Sequence, residues 1–276
     1  MQIVIPMAGH GERFKRAGYT TIKPLIEVDG KPMIEYVARL FPGEENFVFL
    51  CNQDHLATTP LGAVLRKLKP SAEVVAVASH KKGPVWSIID AATHIADDEP
   101  VIVNYCDFDM HWDYENFKRA VREKNADSAA VCYKGFHPHL LGPNLYAGTR
   151  VDENNWALEV REKHSFTENK MDTWQQAGTF YFRNGAMLKK YARLVYDSGV
   201  RTNGECYMSN LFNHMIADGL SSLVYPVEYF CQWGTPEDLA AYERGIVAAR
   251  LATAGEKDMT AAYWHAFLDK RKATLT

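Results

Sequence analysis

The chain has 276 residues, of which 47% are hydrophobic, 24% charged and 12% aromatic, the composition of an ordinary globular protein long enough to bury a core. With 31 Lys and Arg against 34 Asp and Glu, the formal net charge is −3. That balance argues against nucleic acid or an anionic membrane as a general partner, so any anionic ligand must be held by a local cluster of cations.

In chain order, "QIVIPMA" reads as a strand, and its lack of a basic flank sets it apart from a secretory leader. "KPMIEYVARL" places Ile34, Val37 and Leu40 on one helical face. "NFVFLCN" is a strand, "LGAVLRKLK" a helix and "AEVVAVA" a strand. "PVWSIIDAATHI" is a helix opened by Pro84, and "PVIVNYCDFD" is a strand running into two aspartates. This alternation predicts an α/β fold with a mostly parallel sheet covered by helices. Right-handed crossovers put the C-terminal ends of such strands along one edge, where ligands usually bind. The loop after the first strand and the aspartates after the fourth both leave that edge.

The second half is less regular. "YENFKRAVREKN" is a helix, "DSAAVCYKG" a strand, and "LYAGTRVDENNWALEVREK" a small β-hairpin with an Asn-Asn turn. "QQAGTFYFRN" is a strand, "NGAMLKKYARLVYDSG" and "CYMSNLFNHMIADG" are helices ending at glycine, and "SSLVYPVEYF" is a strand. From Pro236 the pattern is helical. No apolar run approaches the roughly 20 residues of a bilayer span. The cysteines Cys51, Cys106, Cys132, Cys206 and Cys231 are scattered and form no CxxC pair, as suits reduced thiols in a cytoplasmic protein.

The stretch "IPMAGHGERFKRAG" holds the first candidate chemistry. Gly9 and Gly11 permit close backbone approaches, and N–H groups of such a loop can bind phosphate oxygens. A third glycine of GxGxxG is missing, since position 14 is Phe14, and GxxxxGK[ST] is absent. Alone, the loop reads more plainly as a tight turn. Arg13 and the Lys23-Pro24-Leu25 step bring two cations to the same edge, although solvated surface charge is their plainer reading. Asp107 and Asp109 could serve Mg²⁺, which is bound by few carboxylates plus substrate phosphates, or could simply solvate a strand end.

Taken together, "PMAGHGERF…KPLIEVDGKPMIEYV", "VNYCDFD", "VREKH", "QQAGTFYF", "NGECYMSNLFNHMI" and "QWGTPEDL" resemble, in order and spacing, the motifs of the sugar-nucleotide pyrophosphorylase superfamily. These nucleotidylyltransferases join an NTP to a phosphorylated acceptor. The resemblance implies a Rossmann-like, GT-A-like mixed sheet with the hairpin as an acceptor-binding subregion. It also implies a nucleotidylyltransferase domain over residues 1–242, with 1–112 mainly binding nucleotide and 113–235 mainly binding acceptor. A helical extension would occupy 243–276.

Residue by residue, the resemblance implies that Ala8, Gly9, Gly11 and Glu12 line the nucleotide and that Gly83 and Pro84 help hold its base. Arg13 would neutralise the departing β- and γ-phosphates, and Lys23 would grip the α-phosphate and the acceptor phosphate. Glu162, Lys163 and Gly178 would meet the acceptor. The cofactor would be Mg²⁺, with Asp107 as ligand and Asp109 and Gln232 as candidates for the second position. The family often has aspartate where Gln232 stands, and proline where His164 follows Lys163. These departures, with the unusual "SHKKGPVWS", suggest a divergent branch serving capsule or surface-polymer precursors, with CTP favoured by resemblance. A glycosyltransferase using Asp107-x-Asp109 as a DxD motif, or a nucleotide-binding regulatory subunit without catalysis, are the alternatives.

Two further stretches receive plainer readings. "HPH" (His137, His139) has a proline between its histidines and no third ligand nearby, which favours a surface loop over a metal pair. The aromatic "AAYWHAFL" suggests helix packing or a subunit contact, and so a homo-oligomer through the C-terminal helices.

Overall fold

The computed structural model describes residues 1–251 and 259–275. Strand β1 (Gln2–Met7) leads through helix α1 (Glu12–Arg16) and the short ladder of β2 (Glu27–Val28) and β3 (Lys31–Pro32) to α2 (Met33–Arg39). Then follow β4 (Phe47–Asn52), α3 (Gln53–Thr58), α4 (Leu61–Leu68), β5 (Glu73–Val77), α5 (Pro84–Asp90), β6 (Val101–Asn104) and β7 (Phe108–His111). The second half comprises α6 (Tyr114–Glu123), β8 (Ser128–Tyr133), the hairpin β9 (Gly148–Val151) and β10 (Ala157–Arg161), β11 (Trp174–Phe182) and α7 (Gly185–Asp197). It ends with α8 (Asn210–Ala217), β12 (Ser222–Val227), β13 (Tyr229–Gln232), α9 (Pro236–Leu251) and α10 (Met259–Leu275).

The main sheet runs β5-β4-β1-β6-β11-β8-β12, and only β11 is antiparallel to its neighbours. This is the mostly parallel α/β sheet expected from the alternation. Every residue of β1, β4, β6 and β8 is buried, because helices cover both faces and leave no polar alternation to see. One apolar cluster packs α2, α4 and α6 against one face, and a second packs α5, α7 and α8 against the other. The hairpin joins the near end of β11 at Trp174 and Gln175. The register of β11 against β8 shifts between Gln176 and Phe180, around Gly178 with φ +99°. The bulge lets one long strand leave β9 and meet β6.

Two predicted strands are divided in the structure. "PVIVNYCDFD" breaks after Asn104, and β7 leaves the main sheet to pair antiparallel with β13, Asp109 opposite Cys231. "SSLVYPVEYF" breaks at Glu228 for the same reason, since β12 stays in the main sheet while β13 joins β7. The ladder β7–β13 carries the site-bearing residues away from the flat sheet and towards a third core cluster. There Phe14, Tyr36, Trp233 and Tyr242 meet Tyr263, Trp264 and Phe267 of α10.

The aromatic face that suggested a subunit contact is thus covered within the chain itself. Residues 252–258 and Thr276 of the expected extension lie outside the described residues. His137 is 1% exposed, in contact with Tyr133 and Tyr263 at ring-centroid distances of 4.5 and 5.2 Å. His137 is therefore buried, with Pro138 and His139 half-buried beside it, and the surface-loop reading is corrected for His137: α10, distant in sequence, supplies the cover. All five cysteines are buried and none is in a disulfide. Among the described residues no helix is long and apolar enough to cross a membrane.

Candidate active site

A cleft of about 560 Å³ opens along the strand edge, and a second cavity of about 220 Å³ adjoins it. Gly9, Gly11, Lys23 and Asp107 line both. The loop after β1 turns sharply at Gly11, with φ +65° and ψ 32°, a left-handed conformation that glycine adopts without strain. A β-carbon on Gly11 would touch the Lys23 Cβ at 3.6 Å, so the loop and the 3-10 turn Lys23–Leu25 lie directly together. Ala8 is anchored from below, its carbonyl accepting from Asn52 Nδ2 at 3.1 Å. Glu12 sits at the rim and pairs with Lys81 at 2.5 Å. That lysine's hydrogen bond lowers the Glu12 carboxyl below its usual range. Arg13 is exposed at the cleft.

Lys23 and Asp107 form an ion pair where the two cavities meet. Burial works most strongly against the Lys23 charge, but the field and hydrogen bond of Asp107, joined by the field of Cys106, together hold the ammonium above its usual range. Asp107 stands at the break between β6 and β7, where its carbonyl accepts from Trp233 N–H at 2.8 Å. This bond ties it to the segment that carries Gln232.

The smaller cavity is bounded by Ala8, Gly83 and Pro84. Its wall includes His80, which accepts the Lys82 N–H at Nδ1 (3.2 Å) and meets the Ser87 hydroxyl at Nε2 (3.0 Å). The larger cleft is bounded by Glu162, Lys163 and Gly178. Glu162 accepts from the Ser209 hydroxyl, and burial raises its carboxyl above the usual range. Lys163 has φ +52°, a conformation few side-chain-bearing residues take. A β-carbon on Gly178 would press Tyr105 at 3.0 Å and Phe108 at 3.2 Å, so the bulge needs glycine to fit beneath those rings.

Asp109 is the predicted site residue that the fold does not bring to the cleft. It is buried, pairs with Arg271 at 3.3 Å, and accepts its own neighbour's N–H from Met110 at 3.0 Å. The chain breaks rather than continuing as one strand through Asp107, so the two carboxylates face different surroundings. Gln232 does line the cleft, donating from Nε2 to Asp238 Oδ1 at 2.5 Å.

Several cleft residues carry no prediction from the sequence. Glu205, Tyr207 and Ser209 line it in alternation with Cys206 and Met208, which are fully buried. The period of two in "ECYMS" is the signal that could have found them. Asp238 also lines the cleft, and in the sequence it reads only as a first-turn acid of a helix.

Among the described residues no three His, Cys, Asp or Glu side chains converge as a protein-only metal cage. A divalent ion here would instead share its coordination with substrate phosphates, as Mg²⁺ does when held by one or two carboxylates. Gly234 leaves the room for it: a β-carbon there would stand 3.2 Å from Asp107 Oδ2 and 3.8 Å from Asp238 Oδ2. Asp238 Oδ2 is buried without a hydrogen-bond partner. The residues present therefore fit such an ion.

The profile of the MobA-like NTP transferase domain matches residues 3–173, more than half of the chain. No curated protein matches the sequence. Among solved structures, a nucleoside-diphosphate-sugar pyrophosphorylase from Vibrio cholerae RC9 is similar with a TM-score of 0.69 and 17% identity. The match covers 88% of this chain and 100% of that one. The inositol-1-phosphate CTP transferase from T. maritima matches with a TM-score of 0.67 and 17% identity, covering 86% of this chain and 91% of that one. A Bacillus anthracis protein assigned as a glucose-1-phosphate thymidylyltransferase gives 0.67 and 15%, covering 93% and 98%. At these identities the likeness is one of fold.

Proposed function

The chain belongs to the MobA-like NTP transferase family, and from that premise we propose that it transfers a nucleoside monophosphate from an NTP to the phosphate of a small acceptor, releasing pyrophosphate. It is a nucleotidyltransferase; the acceptor, the base and the residue roles are our reading. The observation that carries this reading is the Lys23–Asp107 pair at the junction of the two cavities. An acceptor phosphate held in the larger cleft and an NTP α-phosphate held over the Gly9–Gly11 loop would meet at that pair. Residues 1–112 then mainly bind nucleotide and 113–235 mainly bind acceptor.

The chemistry asks little of the protein beyond position and charge. An acceptor phosphate oxygen attacks the α-phosphorus, the bond to the β-phosphate oxygen breaks, and pyrophosphate leaves in line. The nucleophile is already an anion, so no general base is needed. Lys23 sits where it can hold both reacting phosphates, and Arg13 at the open cleft can follow the charge that develops on the leaving group. Loop N–H groups and the lowered, ionised Glu12 bound to Lys81 shape the nucleotide's rim. A divalent cation held at Asp107 would neutralise the phosphate oxygens around the α-phosphorus.

Two supports favour CTP: the departures of "SHKKGPVWS" from thymidylyl- and uridylyltransferase patterns, and the named CTP transferase among the similar folds. The product would serve surface-polymer or capsule precursor synthesis in the cytoplasm, with neither nucleic acid nor membrane as partner. A glycosyltransferase would need both aspartates of Asp107-x-Asp109 on its nucleotide, whereas Asp109 is paired with Arg271.

A pyrophosphate-release screen of the four NTPs against sugar 1-phosphates and phosphorylated polyols or amino alcohols tests the reading. One pair should give pyrophosphate and a nucleoside-diphosphate-linked product. Arg13→Ala and Lys23→Ala should each lower kcat/KM for that pair by about 10²–10³. Consumption of a preformed nucleotide sugar without pyrophosphate chemistry would overturn it.

A further inference from the structure

Nucleotidyl transfer needs positive charge at the phosphates, and one carboxylate is a thin hold for the cation that supplies it. Gln232, beside Asp107 in the cleft, carries no charge, and Asp109 is committed to Arg271. We infer that Asp238 is the second carboxylate of a divalent-cation site, facing Asp107 across Gly234, and that Gln232 is the positioning residue that holds it there. The inference rests on the nucleotidyl-transfer reading above and names the ligand set of that same site.

Asp238 lies in the first turn of α9, where its N–H donates to Thr235 Oγ1 at 3.1 Å. The residue is therefore fixed by its own helix start. Its two oxygens are treated differently. Oδ1 takes the Gln232 amide at 2.5 Å, while Oδ2 is buried with no donor. A carboxylate oxygen withdrawn from water without a donor is costly unless a proton or a cation meets it. The space beside it is kept clear by Gly234, whose missing β-carbon would approach both Asp238 Oδ2 and Asp107 Oδ2. Asp238 Oδ2, without a donor, and Asp107 Oδ2, which here takes the Lys23 ammonium, lie on either side of that glycine, and oxygens of this kind are what a hard divalent ion takes once Lys23 turns to a substrate phosphate.

The same geometry explains why glutamine suits position 232. A carboxylate there would stand against Asp238 Oδ1 at hydrogen-bond distance, and two like charges so close cannot both stay ionised. An amide donates instead, orients Asp238 and leaves its charge available.

Mn²⁺, a paramagnetic stand-in for Mg²⁺, allows a test without turnover: titrate the full chain and read free Mn²⁺ by electron paramagnetic resonance. Asp238→Asn should weaken Mn²⁺ binding by at least about tenfold, with a metal-free melting temperature equal to or above that of the parent. Asp107→Asn should weaken it as well. If Asp107→Asn weakens binding and Asp238→Asn leaves it unchanged, the assignment of Asp238 fails while the transfer reading stands. If neither substitution alters binding, the cation site assigned to Asp107 and Asp238 fails, while the transfer reading is decided by the pyrophosphate screen. Should Asp238→Asn not fold, Gln232→Leu reads the same point: weaker Mn²⁺ binding is expected, and unchanged binding overturns the positioning role.

Discussion

Gly83 shows how much a single position carries at the cleft. Its φ is +90°, and a β-carbon would stand 2.6 Å from both the N and the O of Cys206. The two backbones are bonded on each side of that approach, Cys206 N–H to the Lys82 carbonyl at 3.0 Å and Val85 N–H to the Cys206 carbonyl at 3.3 Å. This close contact fixes the wall of the smaller cavity to the segment bearing Glu205 and Tyr207. Gly83→Ala should therefore cost about 1–3 kcal/mol from backbone strain and crowding, read as a lower urea midpoint, with KM for the NTP rising alongside. An unchanged midpoint would show that the contact is dispensable. The family resemblance pointed to Gly83 as a base-holding residue, but the reason it must be glycine was not legible, because Cys206 lies far along the chain. Asp109 illustrates the converse. An i, i+2 pair after an apolar strand reads as two ligands on one face, and nothing local to the sequence announces the break at Tyr105–Asp107 or the Arg271 that claims Asp109.

The first-half elements were readable because parallel strands buried on both faces appear as unbroken apolar runs. Helices α1 and α3 escaped notice, being five and six residues long with too few turns to show a period. The C-terminal helices were readable as helices, but what they pack against was not. In the structure α10 lies on α9 so closely that a β-carbon on Gly245 would meet Trp264 Nε1 at 2.1 Å. Arg271, further along α10, pairs with Asp29 at 3.0 Å and lies over the Tyr36 ring at 4.1 Å, so the helix braces both α2 and the β7–β13 ladder. Helix propensity alone favours alanine over glycine by up to about 1 kcal/mol. Gly245→Ala should nonetheless destabilise by about 1–3 kcal/mol, because the indole must be displaced from a filled core. Thermal melting followed by tryptophan fluorescence would check it, and a raised melting temperature would mean that α10 does not depend on this contact.

For the whole molecule, the same brace sets how the fold answers to acid. His137 and His139 lie between β8, β13 and α10, with His139 Nε2 at 2.9 Å from the Tyr133 hydroxyl. Burial lowers the His137 imidazole from 6.5 to about 4. Burial holds His139 well below the ordinary range too, with His137 and Lys170 adding their repulsion. Both rings are neutral in the fold, whereas in the unfolded chain each takes up a proton near pH 6.5. Between pH 6.5 and about 4 the unfolded state thus binds more protons than the native one. Stability is then fully present above that window and lost as the pH falls through it. The His137 shift alone corresponds to a loss on the order of 3 kcal/mol across the window. Glu162 and Asp238 act in the opposite sense, since burial raises both carboxyls, Thr235 pulling Asp238 the other way. The raw acid limb therefore mixes signs, and the informative quantity is a difference between two proteins. His137→Phe keeps an aromatic ring among Tyr133 and Tyr263 but has no proton to gain, so its urea midpoint should fall less steeply than the parent's from pH 7 to pH 4.5. Parallel curves for the two proteins would mean that His137 takes up its proton in the fold at the same pH as in the unfolded chain, and that the aromatic cover supplied by α10 does not exclude water from it.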